Sequence, residues 1–259
     1  MKLDRLISQH LQCGQKAARA QLRSSLVTVN GRIESDGSTL IQRFDHVRLG
    51  QDDIQALTPR YLALNKPRGY VSTTTDPEHP TVIALIDEPW ADELHLAGRL
   101  DRFTTGLVIL TNDSRFSEAL TQPESKIPKV YHVQTDIPIT QEAVTAFKAG
   151  IPFAKEGIRT QPAQVQWSEE QSPCSCILTI FEGKHHQVKR MFARFDIKVT
   201  SLHREAVGPI SLSTLGEGKY RAISDDVVHS VLESPLFSKG SASLLDLGEI
   251  GDNDSQHLH

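Results

Sequence analysis

The run Ala97-Gly98-Arg99-Leu100-Asp101-Arg102-Phe103-Thr104-Thr105-Gly106 is polar and glycine-flanked, and the apolar strand Leu107-Val108-Ile109-Leu110 follows it at once. This junction constrains the chain more than any other stretch. It sets one carboxylate on a loop fixed to a strand, and an aspartate held there can act on a substrate from a rigid edge. A loop aspartate beside Gly, Arg and Thr can equally serve as a turn former or a helix cap, so the rest of the chain must decide.

Hydrophobic periodicity supplies the framework. Leu3, Leu6, Ile7 and Leu11 recur at helical spacing, and a second helical segment spans about 16–22. Lys16, Arg19 and Arg23 fall at i, i+3 and i+7 and share a face. A β-branched strand at 26–29, the Asn30-Gly31 hairpin signal and a strand at 46–49 complete a small unit over 1–49. Residues 50–60 are polar, contain Pro59 and read as a linker. From Tyr61 onward, strands at 61–64, 107–110, 129–133, 176–181 and 199–202 interleave with helices at 115–120, 141–149, 187–195 and 224–232. There is no regular βαβ rhythm. The expected class is α+β, with a largely antiparallel mixed sheet flanked by helices over 61–236. Residues 237–259, rich in Ser, Gly, Asp and His, read as a disordered acidic tail.

Charge is informative only locally. The net charge of −4 argues against a nucleic-acid partner, but omitting residues 240–259, which hold four acidic and no basic residues, leaves 28 of each sign. The first 32 residues carry Lys2, Arg5, Lys16, Arg19, Arg23 and Arg32 against Asp4 alone, and 184–204 carry six cations against Asp196 alone. Two basic patches suit a polyanion. Three cysteines make no disulfide framework, and Cys174-Ser175-Cys176 is too tightly spaced for a zinc knuckle. His185, His186 and His203 lack a carboxylate or cysteine at ligand spacing, so no metal is expected. No apolar run approaches the roughly 18 residues that cross a bilayer, and there is no signal-peptide core, so a cytoplasmic chain is expected.

Three further segments carry candidate chemistry. Lys129-Val130-Tyr131 sets a phenol on a strand. Glu182-Gly183-Lys184-His185-His186-Gln187-Val188-Lys189-Arg190-Met191 opens a basic helix after a glycine. Leu202-His203-Arg204-Glu205-Ala206-Val207-Gly208 ends a strand in polar residues.

In this order, and with Asn65-Lys66-Pro67-Arg68-Gly69-Tyr70 and Asp76-Pro77-Glu78-His79-Pro80, these segments resemble the pseudouridine synthases of the RsuA type over about residues 1–235. The N-terminal order of helix, basic helix, strand, Asn-Gly and strand resembles the S4 RNA-binding module. The resemblance implies isomerisation of uridine to pseudouridine in small-subunit (16S) ribosomal RNA, free or in an assembling small subunit. Such an isomerisation has no redox change and needs no cofactor, and nothing in the sequence demands more than a monomer. It implies that Asp101 is the nucleophile, Tyr131 stacks on the target base, Lys189 pairs with Asp101 and Leu202 is the apolar wall. Lys16, Arg19, Arg23, Arg99, Lys184, Arg190 and Arg204 are the expected RNA-binding groups. Two departures stand out: Lys184 occupies a position where relatives usually carry arginine, and Phe103 one where an acidic residue is frequent. A large-subunit rRNA target, a non-catalytic S4-type assembly protein and a hydrolytic glycosidase are the competing readings. The last usually needs a second, paired carboxylate.

Overall fold

The computed structural model describes residues 1–24, 26–154 and 156–233. The acidic tail expected over 237–259 lies outside the described residues. The chain divides into two compact units at Arg60/Tyr61.

In the first unit, α1 (Leu3–His10) and α2 (Gln15–Arg23) precede four antiparallel strands in the order β2-β1-β3-β4. These are β1 (Val27–Val29), β2 (Arg32–Ile33), β3 (Val47–Leu49) and β4 (Asp52–Gln55). Leu3, Ile7, Ala18, Leu22, Val27 and Val47 form its core. Asn30 and Gly31 both take positive φ, 50° and 78°, as a two-residue turn matched to strand twist requires. Asp4 is buried on α1 and tolerable there because Arg19 Nη2 lies 2.8 Å away. One expectation is corrected. Residues 50–60 are not all linker, because Gly50 at φ +63° turns the chain and β4 pairs back onto β3. Polar strand residues at a sheet edge read like a loop in sequence.

The second unit is built on β5 (Tyr61–Lys66), β6 (His95–Leu96), β7 (Thr105–Thr111), α3 (Ser114–Thr121), β8 (Lys129–Thr135), α4 (Gln141–Ala149), β9 (Pro152–Phe153) and β10 (Ile158–Arg159). It continues with β11 (Gln164–Gln166), β12 (Ser175–Ile180), α5 (Gln187–Ala193), β13 (Val199–Val207), β14 (Ile210–Ser211), β15 (Tyr220–Ala222) and α6 (Asp225–Glu233). The large sheet runs β11-β12-β8-β13-β7-β5-β15, with β6 and β14 on β7 and β13. Along that path every pairing is antiparallel except β13–β7.

Both faces of the sheet centre are covered. Leu62, Leu64, Val108 and Leu110 join the core that holds Phe147 of α4 and Phe192 of α5. The alternate residues Ala63, Leu107 and Ile109 join Phe116 of α3 and Val231 of α6. This is why β7 is apolar at four consecutive positions rather than every second one. Each large aliphatic side chain so buried contributes roughly 1.5–3 kcal/mol. Asp113 caps α3 by accepting from the Arg115 amide, and Thr140 caps α4 by accepting from that of Ala143.

The parallel β7–β13 seam sets where the Asp101 loop ends. Gly106 has φ +104°, and a Cβ built there would stand 2.3 Å from the Arg204 carbonyl oxygen. No side chain fits. Gly106→Ala should therefore destabilise the protein by about 2–4 kcal/mol, combining backbone strain with overpacking. A denaturant midpoint equal to wild type would contradict this.

Candidate active site

The Asp101 loop is tied down through its backbone. The Ser72 hydroxyl lies 2.8 Å from the Leu100 carbonyl oxygen and 3.1 Å from the Leu100 amide. The Arg102 carbonyl accepts from the Gly69 amide (2.9 Å) and from Lys66 Nζ (3.1 Å). The Thr104 amide donates to the Asp101 carbonyl at 3.0 Å. Lys66 is fully buried and also donates to the carbonyls of Pro67 and Tyr70, both at 2.9 Å. One ammonium thus joins the turn after β5 to the Asp101 loop. Burial lowers its pKa to about 8, against the opposing pull of Asp101 and Glu217. Asp76 fixes the 76–80 turn by accepting from the amides of Glu78 and His79, and His79 Nε2 lies 3.0 Å from Arg102 Nη1. Phe103 is exposed, with the guanidinium groups of Arg68 and Arg102 each 5.2 Å from its ring centroid. An aromatic ring here takes part in cation–π contacts instead of accepting hydrogen bonds.

Opposite the loop stands α5. Its cap residue His186 is left-handed, at φ 50° and ψ 30°. Gln187 is buried, with Nε2 donating to Glu182 Oε1 and Oε1 accepting from the Lys184 amide, both at 2.9 Å. These bonds fix the 182–187 turn that launches the helix. Lys189, on the first turn, sets Nζ 2.7 Å from Asp101 Oδ2, and His186 Nε2 lies 3.2 Å from Oδ1. Each oxygen of the carboxylate therefore has its own nitrogen partner.

Between loop and helix lies a cleft of about 300 Å³. Its floor comes from β8 and β13. Side chains two apart on a strand share a face, so Lys129 and Tyr131 lie beside Leu202 and Arg204, with Arg204 directly opposite Tyr131 in the register. Arg99, Lys184 and Glu182 also line the cleft. Among the described residues no group of three or more His, Cys, Asp or Glu could hold a metal ion, and no helix is long and apolar enough to cross a membrane.

The structure gathers Asp101, Tyr131, Lys189, Leu202, Arg99, Lys184 and Arg204 around one cleft. Arg204 differs from expectation. β13 runs on through Val207 rather than ending near Leu202, so Arg204 is buried, and its Nε donates to the Leu107 carbonyl at 2.8 Å. It is part of the cleft floor, not a surface grip. Arg190 points elsewhere: its guanidinium is 2.8 Å from Glu156 and lies over the Phe153 ring at 3.7 Å. In the first unit Lys16, Arg19 and Arg23 are all exposed on α2, with Arg19 engaged by Asp4. Sequence reading missed the roles of Lys66, Lys129 and His186. Lys129 was within reach, since it lies two residues before Tyr131 and must share its face.

The sequence profile of the RNA pseudouridylate synthases matches residues 60–194. A Pseudomonas aeruginosa protein named ribosomal small subunit pseudouridine synthase A is 43% identical over 233 residues, covering 89% of this chain and all of that protein. The Escherichia coli protein of the same name is 40% identical over 234 residues, covering 90% of this chain and all of its own length. A crystal structure described as a pseudouridylate synthase superposes with a TM-score of 0.64 at 34% identity, covering 89% of this chain and 99% of that one.

Lys66 predicts an alkaline limit. Above about pH 8 its ammonium becomes an amine with two N–H groups for three carbonyls. Turnover should fall as pH rises through that value. Overall stability should not fall on this account, because the unfolded lysine keeps its proton up to its ordinary 10.5, so losing the folded-state proton first adds stability in that window. A pH–rate profile flat to pH 10 would contradict the assignment.

Proposed function

The chain belongs to the RNA pseudouridylate synthase family, and from that membership we propose that it isomerises one uridine of small-subunit ribosomal RNA to pseudouridine, with Asp101 as nucleophile. The observation that carries the reading is the Asp101 carboxylate, fixed at the mouth of a cleft by Lys189 at 2.7 Å and by a loop whose backbone is bonded on both sides of it.

The reaction breaks an N–C bond, turns the base and forms a C–C bond, with no net redox change. A carboxylate can assist by bonding to the sugar carbon or by promoting an elimination intermediate. Lys189 balances the carboxylate's charge where water is partly excluded. The uridine must leave its stack, which costs a few kcal/mol, roughly, and stacking in the pocket recovers part of it. Tyr131 offers that surface and Leu202 the apolar wall. Glu182, the other carboxylate of the cleft, accepts from the Gln161 amide and the Gln187 side chain and lies 3.9 Å from Lys184. That bonding makes it a scaffold for the turn, not the second acid of a glycosidase.

Lys184 and Arg99 at the cleft, with Lys16 and Arg23 on α2, supply exposed cations for the phosphate backbone. Lys16→Glu with Arg23→Glu should weaken RNA binding and lower the salt slope by about one unit per residue removed. Unchanged affinity and slope would make that face an ordinary solvated one. The function itself is tested by carbodiimide mapping of rRNA from cells lacking the protein. One small-subunit pseudouridine should disappear, return with wild type and stay absent with Asp101→Asn, while that variant still binds RNA. An unchanged map, or restoration by Asp101→Asn, would overturn the reading.

A further inference from the structure

Setting aside the exposed Arg99, two cations of the cleft have no ion-pair partner among the described residues. Asp101 is engaged by Lys189 and His186, and Glu182 by Gln161, Gln187 and Lys184. Lys129 and Arg204 are left over. Arg204 is 3% exposed, and while its Nε bonds the Leu107 carbonyl, its Nη2 is shut off from solvent with no acceptor. Lys129 Nζ donates to the Ile127 carbonyl at 3.0 Å. Burial and, after it, the Arg204 charge lower the Lys129 pKa to about 8, against the opposing pull of Glu182.

Folded proteins rarely leave a buried guanidinium nitrogen unbonded, because desolvation without a partner is costly. Here one such guanidinium, Arg204, and the half-buried ammonium of Lys129 stand on neighbouring strands and line one cleft with the proposed base platform, Tyr131. That arrangement is suited to an anion that arrives with the substrate.

Resting on the pseudouridine reading, we propose that Lys129 and Arg204 form the anion site for the departing uracil, holding its carbonyl oxygens and balancing its charge when the glycosidic bond breaks. The N1–C1′ bond breaks with its electron pair on the base, spreading over N1, O2 and O4. C1′ is then satisfied either by an Asp101 oxygen or by loss of the C2′ proton, and the base is the same monoanion on both routes. An electron pair from C5 afterwards bonds C1′, which releases Asp101 or restores the C2′ proton. The C5 proton leaves and N1 gains one, so the product is an isomer. Fixed donors facing that transient charge in a water-poor cleft need no reorganisation when it appears. The same preorganisation explains why the free protein carries a buried guanidinium nitrogen with no acceptor beside a second cation, a stability cost retained for activity.

The test uses RNA carrying uridine or 5-fluorouridine at the target position, at saturating protein in single turnover, read as loss of the intact N-glycoside. Fluorine stabilises the base anion and so substitutes for part of the site. Lys129→Met should slow cleavage of the uridine RNA by about 100-fold, and that of the fluorinated RNA by distinctly less. RNA affinity should be unchanged, Lys129→Arg should restore most of the rate, and the melting temperature of Lys129→Met should not fall. Arg204→Lys, which keeps the charge but loses the second nitrogen, should show the same preference for the fluorinated substrate. Equal losses on both RNAs, or no loss, would overturn the proposal. So would weaker RNA binding at an unchanged saturated rate, which would mark a phosphate contact. Absence of turnover by wild type would instead remove the pseudouridine reading beneath it.

Discussion

One ion pair, Lys189 Nζ to Asp101 Oδ2 at 2.7 Å, joins two segments 88 residues apart and gives the cleft its shape. Its side chains are about one-third exposed, so it adds little to folding, on the order of 0–1 kcal/mol. Its value is positional. Everything that precedes it in the fold serves to bring those two groups together: Gly106 allows β7 to meet β13, Lys66 and Ser72 hold the loop, and Gln187 sets the start of α5. The expensive parts, a fully buried lysine and a buried guanidinium with one unbonded nitrogen, lie outside the apolar cores on either side of the sheet.

The charge distribution follows the same logic. A chain of net charge −4 looks unsuited to RNA. Yet Arg99, Lys129, Lys184, Lys189 and Arg204 line a cleft in which the two carboxylates are already bonded within the protein. A polyanion meets the local field, not the average.

Much of this was legible in sequence. Alternating and continuous apolar runs gave the principal strands, and the Asn30-Gly31 pair gave its hairpin, because these signals are local. The glycine-flanked aspartate marked the loop, and the basic helix after Gly183 marked its partner. What escaped depends on contacts distant in sequence. Nothing local says that Lys66 is fully buried, since its three carbonyl partners come from a turn and from a loop 36 residues away. Arg204 reads as a surface cation until β13 is seen to continue past it. Arg190 reads as an RNA contact until Glu156 is found beside it. His186 reaches Asp101 from a left-handed backbone that histidine only occasionally adopts. β4 was lost in a polar stretch because an edge strand need not be apolar.

The most direct test of the account is the single-turnover rate of Lys189→Met and Lys189→Arg on saturating target RNA. If a cation fixed against the Asp101 carboxylate is what makes it a nucleophile, the methionine variant should lose about 100-fold or more. It should do so with its fold and RNA affinity intact, and the arginine variant should recover much of the loss. A methionine variant that turns over at the wild-type rate would contradict the account, because the ion pair on which the cleft is built would then have no part in the chemistry.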